Sequence, residues 1–380
     1  MASMQPSAPQ DASSFSASPD ELIETVRSAA TARQRRRIAG AGTKAFLFPS
    51  QADDRPVLDA RAWSGIVSHE PTELVVTVKA GTPLHELDAA LSAHQQYLPF
   101  DPPRYAEGGT VGGGVAAGLA GPARASVGGA RDYVLGAQFI DGRGQWMTFG
   151  GQVMKNVAGY DVSRALVGSR GQLGLITDIS LKVLPLPPAE TTLVFELDQA
   201  RALQQLHVWG GQPLPINASR WEGGEVPRLH VRLRGAVAAV EAATQRMCGD
   251  AAGQVVANEA AQRDWAQCRD HQLAFFRTAG PEMSLWRLSV PQTAAAMDLP
   301  YAQLIEWQGA QRWLWAPAAS SEAIRSATHA VRGHAQLFRA GVGGDQGVPR
   351  EDAVPPAVAA ITRRLREAFD PHGIFAPMQD

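Results

Sequence analysis

The chain has 380 residues, of which 45% are hydrophobic, so it is long enough to form about two or three domains with sizeable cores. Its net charge of -2 and its pI near 6.5 give no overall attraction to nucleic acid or to an anionic membrane. Cys248 and Cys268 are its two cysteines, too few for a disulfide framework or a cysteine-ligated iron–sulfur cluster within this chain. An electron-transfer function would therefore need an organic cofactor.

The first segments are a polar tail and a helix. Residues 1–18 are rich in Ser, Ala, Pro and Gln and lack a basic segment and an apolar core, which predicts a disordered tail rather than a signal peptide. No apolar run of about 18 residues is found, so we predict no membrane span and a cytoplasmic location. A helix is predicted from Pro19 to about Ala32, with Ser18 as its N-cap. Arg35–Ala39 is predicted as a strand, whose arginine run we interpret as a solvated entrance rather than a nucleic-acid patch.

The next loop, Gly40-Ala41-Gly42-Thr43-Lys44-Ala45, matches the dinucleotide fingerprint G-x-G-x-x-G/A. That fingerprint requires a helix directly after the glycines, because the helix N-terminus binds the pyrophosphate. Phe46-Leu47-Phe48-Pro49 follows instead, and the proline opposes helical continuation. Successive backbone N–H groups bind an anion without such a helix. We therefore predict an anion-binding loop without a Rossmann fold or useful NAD binding; an ordinary turn is the alternative.

A second glycine-rich segment follows a predicted strand at Leu74–Ala80 and a predicted helix that Thr82-Pro83 caps and that runs to about Gln95. It is the densest glycine cluster of the chain, Gly108-Gly109-Thr110-Val111-Gly112-Gly113-Gly114-Val115-Ala116-Ala117-Gly118. Because glycine is unfavourable in regular elements, its repeated use favours close approach of the backbone to a ligand, or turns with positive φ. A flexible linker, the alternative, would contain more serine and other polar residues.

Two further glycine-bearing segments precede a break in the chain. Arg131 to Phe149 predicts a β-hairpin that turns at Asp141-Gly142-Arg143-Gly144. The runs Met154-Lys155-Asn156-Val157-Ala158-Gly159-Tyr160-Asp161 and Gly168 to Thr177 predict a glycine-bearing turn that leads into a buried strand at 174–184. Leu184-Pro185-Leu186-Pro187-Pro188 interrupts regular structure and indicates a domain boundary.

Together these segments resemble the FAD domain of the vanillyl-alcohol oxidase and para-cresol methylhydroxylase (PCMH) superfamily, with its patterns N-x-x-G-Y-D-L, G-S-E-G-T-L-G-I-I-T and R-D-x-V-L-G. The form Lys-Asn-Val-Ala-Gly-Tyr-Asp is most similar to the smaller flavin-type subunits of bacterial glycolate oxidases. The resemblance implies an α+β fold: a PCMH-type FAD-binding domain of two α+β subdomains at 19–188, an α+β cap at 189–350, and a C-terminal helix and tail at 351–380 that return to the first domain. The FAD contacts that it implies are Ala39, Gly40, Ala41, Gly42, Thr43, Lys44, Pro99, Asp101, Gly109, Thr110, Val111, Gly113, Gly114, Gly118, Asp132, Val134, Asn156, Gly171, Leu173, Gly174 and Ile176.

Few residues are candidates for catalysis. In the FAD domain, Lys155 is a candidate donor near the flavin N1, with a solvated lysine as the alternative. Three further candidates lie in the predicted cap. Arg287, Arg312 and His334 are candidates to contact a substrate carboxylate or the flavin edge.

The cap tryptophans have two interpretations. Trp313 and Trp315 are predicted as core or interface residues that arginine stems cover. Together with Trp307 they also form a candidate docking surface, because tryptophan is enriched in binding hot spots. The segments Trp307–Leu314 and Gly333–Arg339 resemble the same glycolate oxidase subunits, and the tail Phe369–Pro377 resembles the superfamily's F-D-P-x-G-I-F-N-P.

One departure from the superfamily bears on mechanism. Its catalytic 2-hydroxy-acid dehydrogenases carry H-x-G-D-G-N-x-H, whose histidines help hold a metal and the hydroxy acid; the nearest string here is Arg339–Asp345. None of the nine histidines is spaced as H-x-x-x-H or H-x-H, so no metal site is predicted. Thr43 stands where relatives with covalent flavin often carry a histidine, so noncovalent FAD is expected.

The resemblance implies a FAD-binding subunit of a glycolate oxidase-like complex that also contains a larger FAD-binding catalytic subunit and an iron–sulfur subunit. The complex would oxidise a small 2-hydroxy acid, glycolate or D-lactate, to a 2-oxo acid and pass electrons to an acceptor other than oxygen. No nucleic-acid partner is implied, and membrane contact arises only through the partners. Two alternatives stay open: a self-sufficient FAD-dependent oxidase of another small alcohol or acid, and a flavin-bearing structural subunit without turnover.

Overall fold

The computed structural model describes residues 18–48, 54–151, 161–277, 279–345 and 347–375. We call the described residues up to 188 the N-terminal lobe and residues 189–350 the C-terminal lobe, following the predicted boundary, which itself stays a prediction. The chain is a mixed α and β protein with a separate sheet in each lobe, as the α+β expectation requires. Within the described ranges, no helix is long and apolar enough to cross a membrane.

The N-terminal lobe begins with helix α1 (Pro19–Thr31), as predicted. The Ser18 hydroxyl accepts a hydrogen bond from the amide of Glu21 at 3.3 Å, and Pro19 lies in the first turn, where no intrahelical N–H bond is lost. The apolar face of α1 forms a small core with residues distant in sequence, namely Leu58, Ile140, Leu175, Ile374 and Phe375. The C-terminal tail therefore packs against the N-terminal lobe.

Strands of the N-terminal lobe form one main sheet and two small ones. In chain order they are β1 (Arg37–Ala39), β2 (Val57–Asp59), β3 (Ile66–Glu70), β4 (Val75–Lys79), β5 (Gln96–Tyr97), β6 (Val134–Ile140), β7 (Trp146–Gly150), β8 (Leu175–Lys182) and β9 (Leu184–Pro185). The main sheet is antiparallel with the order β3-β4-β8-β6-β7. β1 pairs with β2 in parallel, and β5 pairs with β9 antiparallel. The predicted hairpin is confirmed as β6–β7, and the central strand β8 is almost wholly buried.

Helices of this lobe cover the sheet and the loops around it. They are α2 (Leu84–Ser92), α3 (Val111–Ala117), α4 (Arg124–Val127), α5 (Ala130–Tyr133) and α6 (Val162–Ala165). The prediction that Thr82-Pro83 caps α2 was wrong about the capping hydrogen bond. Pro83 occupies the N-cap position without a side-chain hydrogen bond, and the Thr82 hydroxyl instead bonds to Gly65, accepting from its amide at 2.9 Å. Thr82 therefore fixes the loop before β3 rather than the helix.

The dense glycine cluster forms helix α3, a regular element. Its composition predicted turns with positive φ or a close approach of the backbone to a ligand instead. Close approach does occur on one side of the helix. A Cβ atom added to Gly112 would lie 2.5 Å from the Cβ of Ala80, so glycine is needed for α3 to pack against the end of β4. Gly118 ends the helix with a φ of 64°, as expected of a glycine at a helix C-terminus.

The C-terminal lobe is built on one antiparallel sheet of eight strands. In chain order they are β10 (Ala189–Glu196), β11 (Ile216–Glu222), β12 (Arg228–Gly235), β13 (Gln254–Val256), β14 (Met283–Ser289), β15 (Gln303–Glu306), β16 (Gln311–Pro317) and β17 (His334–Arg339). Their spatial order is β13-β10-β12-β11-β15-β16-β14-β17. The strands predicted near 193–197 and 229–233 are confirmed as parts of β10 and β12, with β10 ending one residue early.

Helices α7 (Gln199–Gly210), α8 (Val237–Ala251) and α11 (Ser321–Ala330) pack on one face of this sheet, and the windows near 235–247 and 318–331 predicted the last two. The other face meets α9 (Asn258–Arg269), α10 (Ala274–Arg277) and the N-terminal lobe. Leu47 and Leu119 of the N-terminal lobe join Trp313 and Phe338 in this shared core. The last helix, α12 (Pro356–Phe369), returns to the N-terminal lobe, where the rings of Phe369 and Phe139 lie 5.5 Å apart.

Buried charges also join the two lobes. The Arg232 side chain on β12 is 4% exposed, and its guanidinium donates to the Asp101 carboxylate of the N-terminal lobe at 2.6 Å. A second donor of Arg232 bonds to the Asn217 side chain at 2.7 Å. Breaking one partner of a buried ion pair leaves the other charge without compensation, which costs far more than the pair contributes.

Asp101→Asn should therefore lower the free energy of unfolding by about 3 kcal/mol, because Arg232 would remain buried opposite a neutral amide. Asparagine is chosen because residue 101 has a φ of 45°, which asparagine tolerates. Urea denaturation measures the change. Arg363→Ala on the exposed face of α12 is the matched control, and equal stability of the two variants would contradict the role of this ion pair.

Candidate functional site

A cavity of about 430 Å³ opens in the N-terminal lobe where three glycine-bearing segments meet. Its size is typical of clefts that hold a small molecule or part of a cofactor. The segments are the loop after β1, the start of α3 and the turn before β8. Residues that lie far apart in the sequence are thus brought around one space.

The first segment leaves β1 and passes through Gly40–Lys44. Gly42 has a φ of 71°, a conformation that favours glycine, and a Cβ atom there would meet no neighbour within 4 Å. A Cβ atom added to Gly40 would lie 2.6 Å from the Thr110 hydroxyl, so this loop rests directly on the start of α3. A three-residue 3-10 helix at Ala45–Leu47 follows the loop. Among the described residues up to Phe48, this short 3-10 helix takes the place of the α-helix that a Rossmann loop requires.

The second segment presents the first turn of α3 to the cavity. Thr110 is the N-cap, and its hydroxyl accepts from the amide of Gly113 at 3.1 Å. A Cβ atom added to Gly113 would meet the same hydroxyl at 3.0 Å and nothing else within 4 Å. A longer side chain at position 113 would therefore extend into the open space that Gly113 lines.

The third segment turns at Gly171, which has a φ of 76°, and enters β8. A Cβ atom at Gly171 would touch Ile38 of β1 at 3.4 Å, so the turn closes the cavity against the first segment. Apolar side chains complete the wall, among them Ile38, Leu47, Ile176 and Phe375. Such a wall suits a flat aromatic ring system.

Cations surround the cavity. Among the described residues that line it, none is Asp or Glu, and five are basic: Arg36, Arg37, Lys44, Arg55 and Arg170. Lys44 is 8% exposed, and burial lowers the pKa of its amine to about 8. The Arg36 Nε atom is buried and has no hydrogen-bond partner in the described part of the chain. A cationic wall beside glycine-bearing loops is suited to a diphosphate.

Eleven of the predicted FAD contacts lie in the cavity wall. They are Ala39, Gly40, Ala41, Gly42, Thr43, Lys44, Thr110, Gly113, Gly171, Gly174 and Ile176. Lys155 and Asn156 lie outside the described residues. The remaining predicted contacts are described by the structure but are not part of the cavity wall: Pro99, Asp101, Gly109, Val111, Gly114, Gly118, Asp132, Val134 and Leu173.

Several of these remaining residues have structural roles. Asp101 pairs with Arg232, and the Asp132 carboxylate accepts from the amide of Gly129 at 2.8 Å, at the start of α5. A Cβ atom at Gly118 would lie 2.8 Å from the Cα of Gly168, so this glycine allows two loops to pack. Three others are core side chains of the N-terminal lobe: Val111, Val134 and Leu173.

The candidates of the C-terminal lobe are placed very differently from one another. The Arg312 guanidinium is fully buried and donates to the carbonyl oxygens of Ala294, Ala295 and Gly309, so it holds a loop rather than a ligand. His334 is exposed at the start of β17. Arg287 has neither a carboxylate nor a hydrogen-bond acceptor within the described residues and remains a candidate.

The tryptophans favour the core interpretation over a docking surface. Trp313 is 3% exposed, and its indole N–H donates to the buried carboxyl of Glu306 at 2.7 Å. Trp307 donates to the Gly121 carbonyl at 3.0 Å, and Trp315 donates to the Phe275 carbonyl at 2.7 Å. The docking interpretation was wrong for Trp313, because its ring is needed inside the core.

Sequence reasoning missed the cationic wall. Arg36 and Arg37 were interpreted as a solvated strand entrance, yet both line the cavity. Arg55 and Arg170 were not singled out at all. The arginine run directly before a glycine loop was an available signal for the first two, whereas Arg55 and Arg170 carry no local signal and are recruited by the fold.

Comparisons with known proteins agree with this geometry. A family model described as a FAD binding domain matches residues 12–150. The chain is 43% identical over 363 residues to the glycolate oxidase subunit GlcE of Escherichia coli K12, covering 94% of this chain and 95% of that protein. It is 30% identical over 155 residues to the glycolate oxidase subunit GlcD of Bacillus subtilis, covering 41% of this chain and 33% of that protein.

A D-lactate dehydrogenase of Anaerostipes hadrus is 33% identical over 129 residues, 34% of this chain and 27% of that protein. Among solved structures, an alkyldihydroxyacetonephosphate synthase aligns with a TM-score of 0.68 at 15% identity, over 96% of this chain and 76% of that one, which shows the shared fold. The glycine cradle, the cationic wall and the apolar surfaces fit FAD. The chain belongs to the glycolate oxidase subunit family of FAD-dependent oxidoreductases, with a PCMH-type FAD-binding domain.

Proposed function

We propose that this chain is the smaller FAD-binding subunit of a glycolate oxidase-like complex, and that it binds FAD without a covalent bond. The observation that carries the proposal is the cavity in which three glycine segments meet a wall of cations, in a chain 43% identical to a glycolate oxidase subunit. The complex oxidises a small 2-hydroxy acid, glycolate or D-lactate, to the 2-oxo acid. Its electrons pass to an acceptor other than oxygen.

The residues of the cavity divide into two functional groups. Backbone amides of Gly40–Lys44 and the cations Arg36 and Lys44 hold the pyrophosphate, since anions bind where N–H groups and positive charges converge. The small residues of α3 and the Gly171 turn let the backbone lie close to the rest of the cofactor. The bound FAD supplies the two-electron chemistry. Thr43, whose hydroxyl accepts from the Lys44 amine at 3.4 Å, is the reason to expect no covalent flavin at this loop.

Catalysis is proposed to depend on partner subunits. The sequence lacks H-x-G-D-G-N-x-H, and in the described part of the chain no cluster of three or more His, Cys, Asp or Glu side chains is arranged to hold a metal. A larger FAD-binding subunit would position the hydroxy acid and accept its hydroxyl proton, and an iron–sulfur subunit would carry electrons onward. We place the complex in the cytoplasm, with any contact to the inner face of the membrane made by the partners.

The division of labour predicts different behaviour for the isolated chain and for the complex. Under anaerobic conditions, glycolate should leave the flavin absorbance of the isolated subunit largely unchanged and should bleach it when the partner subunits are co-expressed. Stopped-flow absorbance at the flavin maximum measures both reactions. Rapid reduction of the isolated subunit would favour the self-sufficient oxidase, and an unreduced flavin here beside an active partner subunit would favour the structural subunit.

Gly113→Leu should abolish FAD binding, because the new side chain has only the cavity to occupy. FAD content is measured after acid precipitation, which should release the flavin from the wild-type protein into the supernatant. Gly249→Leu is the matched control, since a Cβ atom on this exposed glycine of α8 meets no neighbour within 4 Å. Full FAD occupancy in Gly113→Leu would refute the placement of the cofactor.

Lys44 predicts a pH dependence of FAD affinity. Burial lowers its pKa to about 8 in the free protein, and a bound pyrophosphate would raise that pKa again. The protonated amine binds the anion more tightly, so affinity should be level below pH 8 and fall by up to about tenfold per pH unit above it.

Fluorescence titration with FAD between pH 6.5 and 9.5 measures this profile. Lys44→Met should weaken binding by about tenfold or more at pH 7 and remove the decline above pH 8. Lys182→Met, at the end of β8 and outside the cavity wall, is the control. A decline of the same size in Lys44→Met would assign the titration to another group.

A further inference from the structure

The C-terminal tail, residues 370–375, follows α12 and contributes a residue to the wall of the FAD cavity. Phe375 is 5% exposed and lines the cavity. The other wall residues that the structure describes all lie at or before Ile176 in the chain. The cavity is therefore completed by a segment from the far end of the sequence.

The turn of the β6–β7 hairpin fixes the point at which this tail begins. The amide of Gly142 donates to the carbonyl oxygen of Phe369 at 2.8 Å, and the Arg143 guanidinium donates to the carbonyl oxygen of Ala368 at 2.9 Å. A Cβ atom added to Gly142 would lie 2.7 Å from the Cα of Asp370, so the turn touches the backbone of the tail directly. The end of α12 is thus held against the N-terminal lobe.

The Asp370 carboxylate then fixes the path of the tail. Asp370 is 6% exposed, and its two carboxylate oxygens accept from the amide of Ile374 at 3.0 Å and from the amide of Phe375 at 2.7 Å. The chain turns back on itself between these groups, at Gly373, which has a φ of 63°. Hydrogen bonds from amides to a carboxylate are stronger than those to a neutral acceptor. Asp370 therefore holds the backbone of Phe375 from one side.

A third contact holds the tail from the side of the cavity. The amide of Arg36 donates to the carbonyl oxygen of Ile374 at 2.8 Å, so the tail pairs with the segment that enters β1. Arg36 lines the cavity, whereas Asp370 is not part of the described wall. Any effect of Asp370 on a bound cofactor must therefore pass through the tail residues that it holds.

The buried ring of Phe375 is suited to a flat ligand. FAD carries two aromatic ring systems, and the anion-binding loop at Gly40–Lys44 accounts for its pyrophosphate alone. Aromatic side chains add specific contacts to such rings beyond simple burial. Phe48, the other aromatic residue among the described residues of the wall, is 41% exposed. Phe375 is therefore the buried aromatic side chain that this wall offers.

We propose that Phe375 covers an aromatic ring of FAD and that Asp370 is the positioning residue that holds Phe375 in the cavity wall. The ring is either the adenine or the isoalloxazine, which share this chemistry. The assignment rests on the proposed placement of FAD in this cavity. It gives the tail after α12 a part in cofactor binding as well as in the packing of the N-terminal lobe.

Fluorescence titration of the FAD-free full-length protein with FAD tests both residues. Phe375→Leu keeps apolar bulk and removes the ring, so it should weaken FAD binding by about fivefold. Asp370→Ala should weaken it by a similar factor, because it releases the amide of Phe375. Wild-type affinity in Phe375→Leu would overturn the ring contact, and wild-type affinity in Asp370→Ala would overturn the positioning role.

Matched controls come from the C-terminal lobe, outside the described cavity wall. Phe195→Leu replaces another buried phenylalanine, which is 1% exposed. Asp198→Ala removes another carboxylate that accepts from a backbone amide, that of Arg201 at 2.8 Å. Both controls should keep wild-type affinity for FAD. Thermal melting without FAD is measured for every variant, and Asp370→Asn, which keeps one acceptor oxygen, replaces Asp370→Ala if that variant does not fold.

The double variant separates a positioning role from independent structural damage. If Asp370 acts through Phe375, the combination of Asp370→Ala and Phe375→Leu should bind FAD about as tightly as the weaker single variant. Independent effects would multiply to about 25-fold, since contributions of uncoupled sites add in free energy. Such multiplication would overturn the positioning role of Asp370.

Competition with FAD by ADP and by FMN identifies the ring. Phe375→Leu should weaken the binding of one competitor and spare the other. Weaker binding of ADP assigns the adenine to Phe375, and weaker binding of FMN assigns the isoalloxazine. Equal loss for both competitors would overturn the ring contact, because the substitution would then disturb the whole cavity.

Failure of the proposed cofactor placement is seen in a different variant. Full FAD occupancy in Gly113→Leu contradicts that placement, whatever the tail variants show. Loss of FAD in Gly113→Leu together with wild-type affinity in Phe375→Leu contradicts the ring contact alone.

Discussion

Positive charge removed from water is the constraint on which the rest of this structure depends. Lys44 and four arginines surround a cavity whose described lining residues include no carboxylate. Burial already lowers the pKa of the Lys44 amine. Such a wall favours an anion, and the glycine segments provide backbone amides that favour one as well. The proposed place of the FAD pyrophosphate in this cavity would meet both needs at once.

Between the lobes, buried positive charge is compensated by carboxylates of the protein itself. There the C-terminal sheet presents charged side chains to the N-terminal lobe, and the fold supplies carboxylates for them. Arg232 pairs with Asp101 of the N-terminal lobe, whereas Arg220 donates to Asp264 of α9, within the C-terminal lobe, at 2.7 Å. Buried pairs of this kind contribute little net stability, but they penalise every arrangement in which a partner is missing. The Arg232–Asp101 pair therefore specifies how the sheet sits against the N-terminal lobe.

Arg312 and Arg287 show how similar side chains in one sheet acquire different roles. Arg312 satisfies its donors with backbone carbonyl oxygens, so it is a structural residue despite its charge. Arg287 lies on a neighbouring strand and has an aromatic ring but no acceptor among the residues that the structure describes. What separates these two arginines is the set of acceptors around each, which no local pattern of residue types reveals.

Local chemistry is what the sequence by itself determined. Ser18-Pro19 begins α1, the residues after Gly40–Lys44 prevent a Rossmann helix, and the glycine motifs identify a FAD-binding superfamily. These features depend on residues that are neighbours in the sequence, so they can be predicted from the sequence alone. The pattern of glycines did not show that the cluster after Gly108 forms a helix, in which Gly112 packs against Ala80.

Only the tertiary structure decided which charges meet. It brought Arg170 to the cavity of Gly40–Lys44, and it assigned Asp101 to an ion pair rather than to the cavity wall. A single extra residue in β17 placed Arg339 opposite Leu285, on the sheet face of Arg287. Electrostatic partners act through space over a few ångströms, whereas the chain separates them by tens to hundreds of residues. The composition of the site therefore follows from strand pairing and lobe packing, which sequence periodicity does not encode.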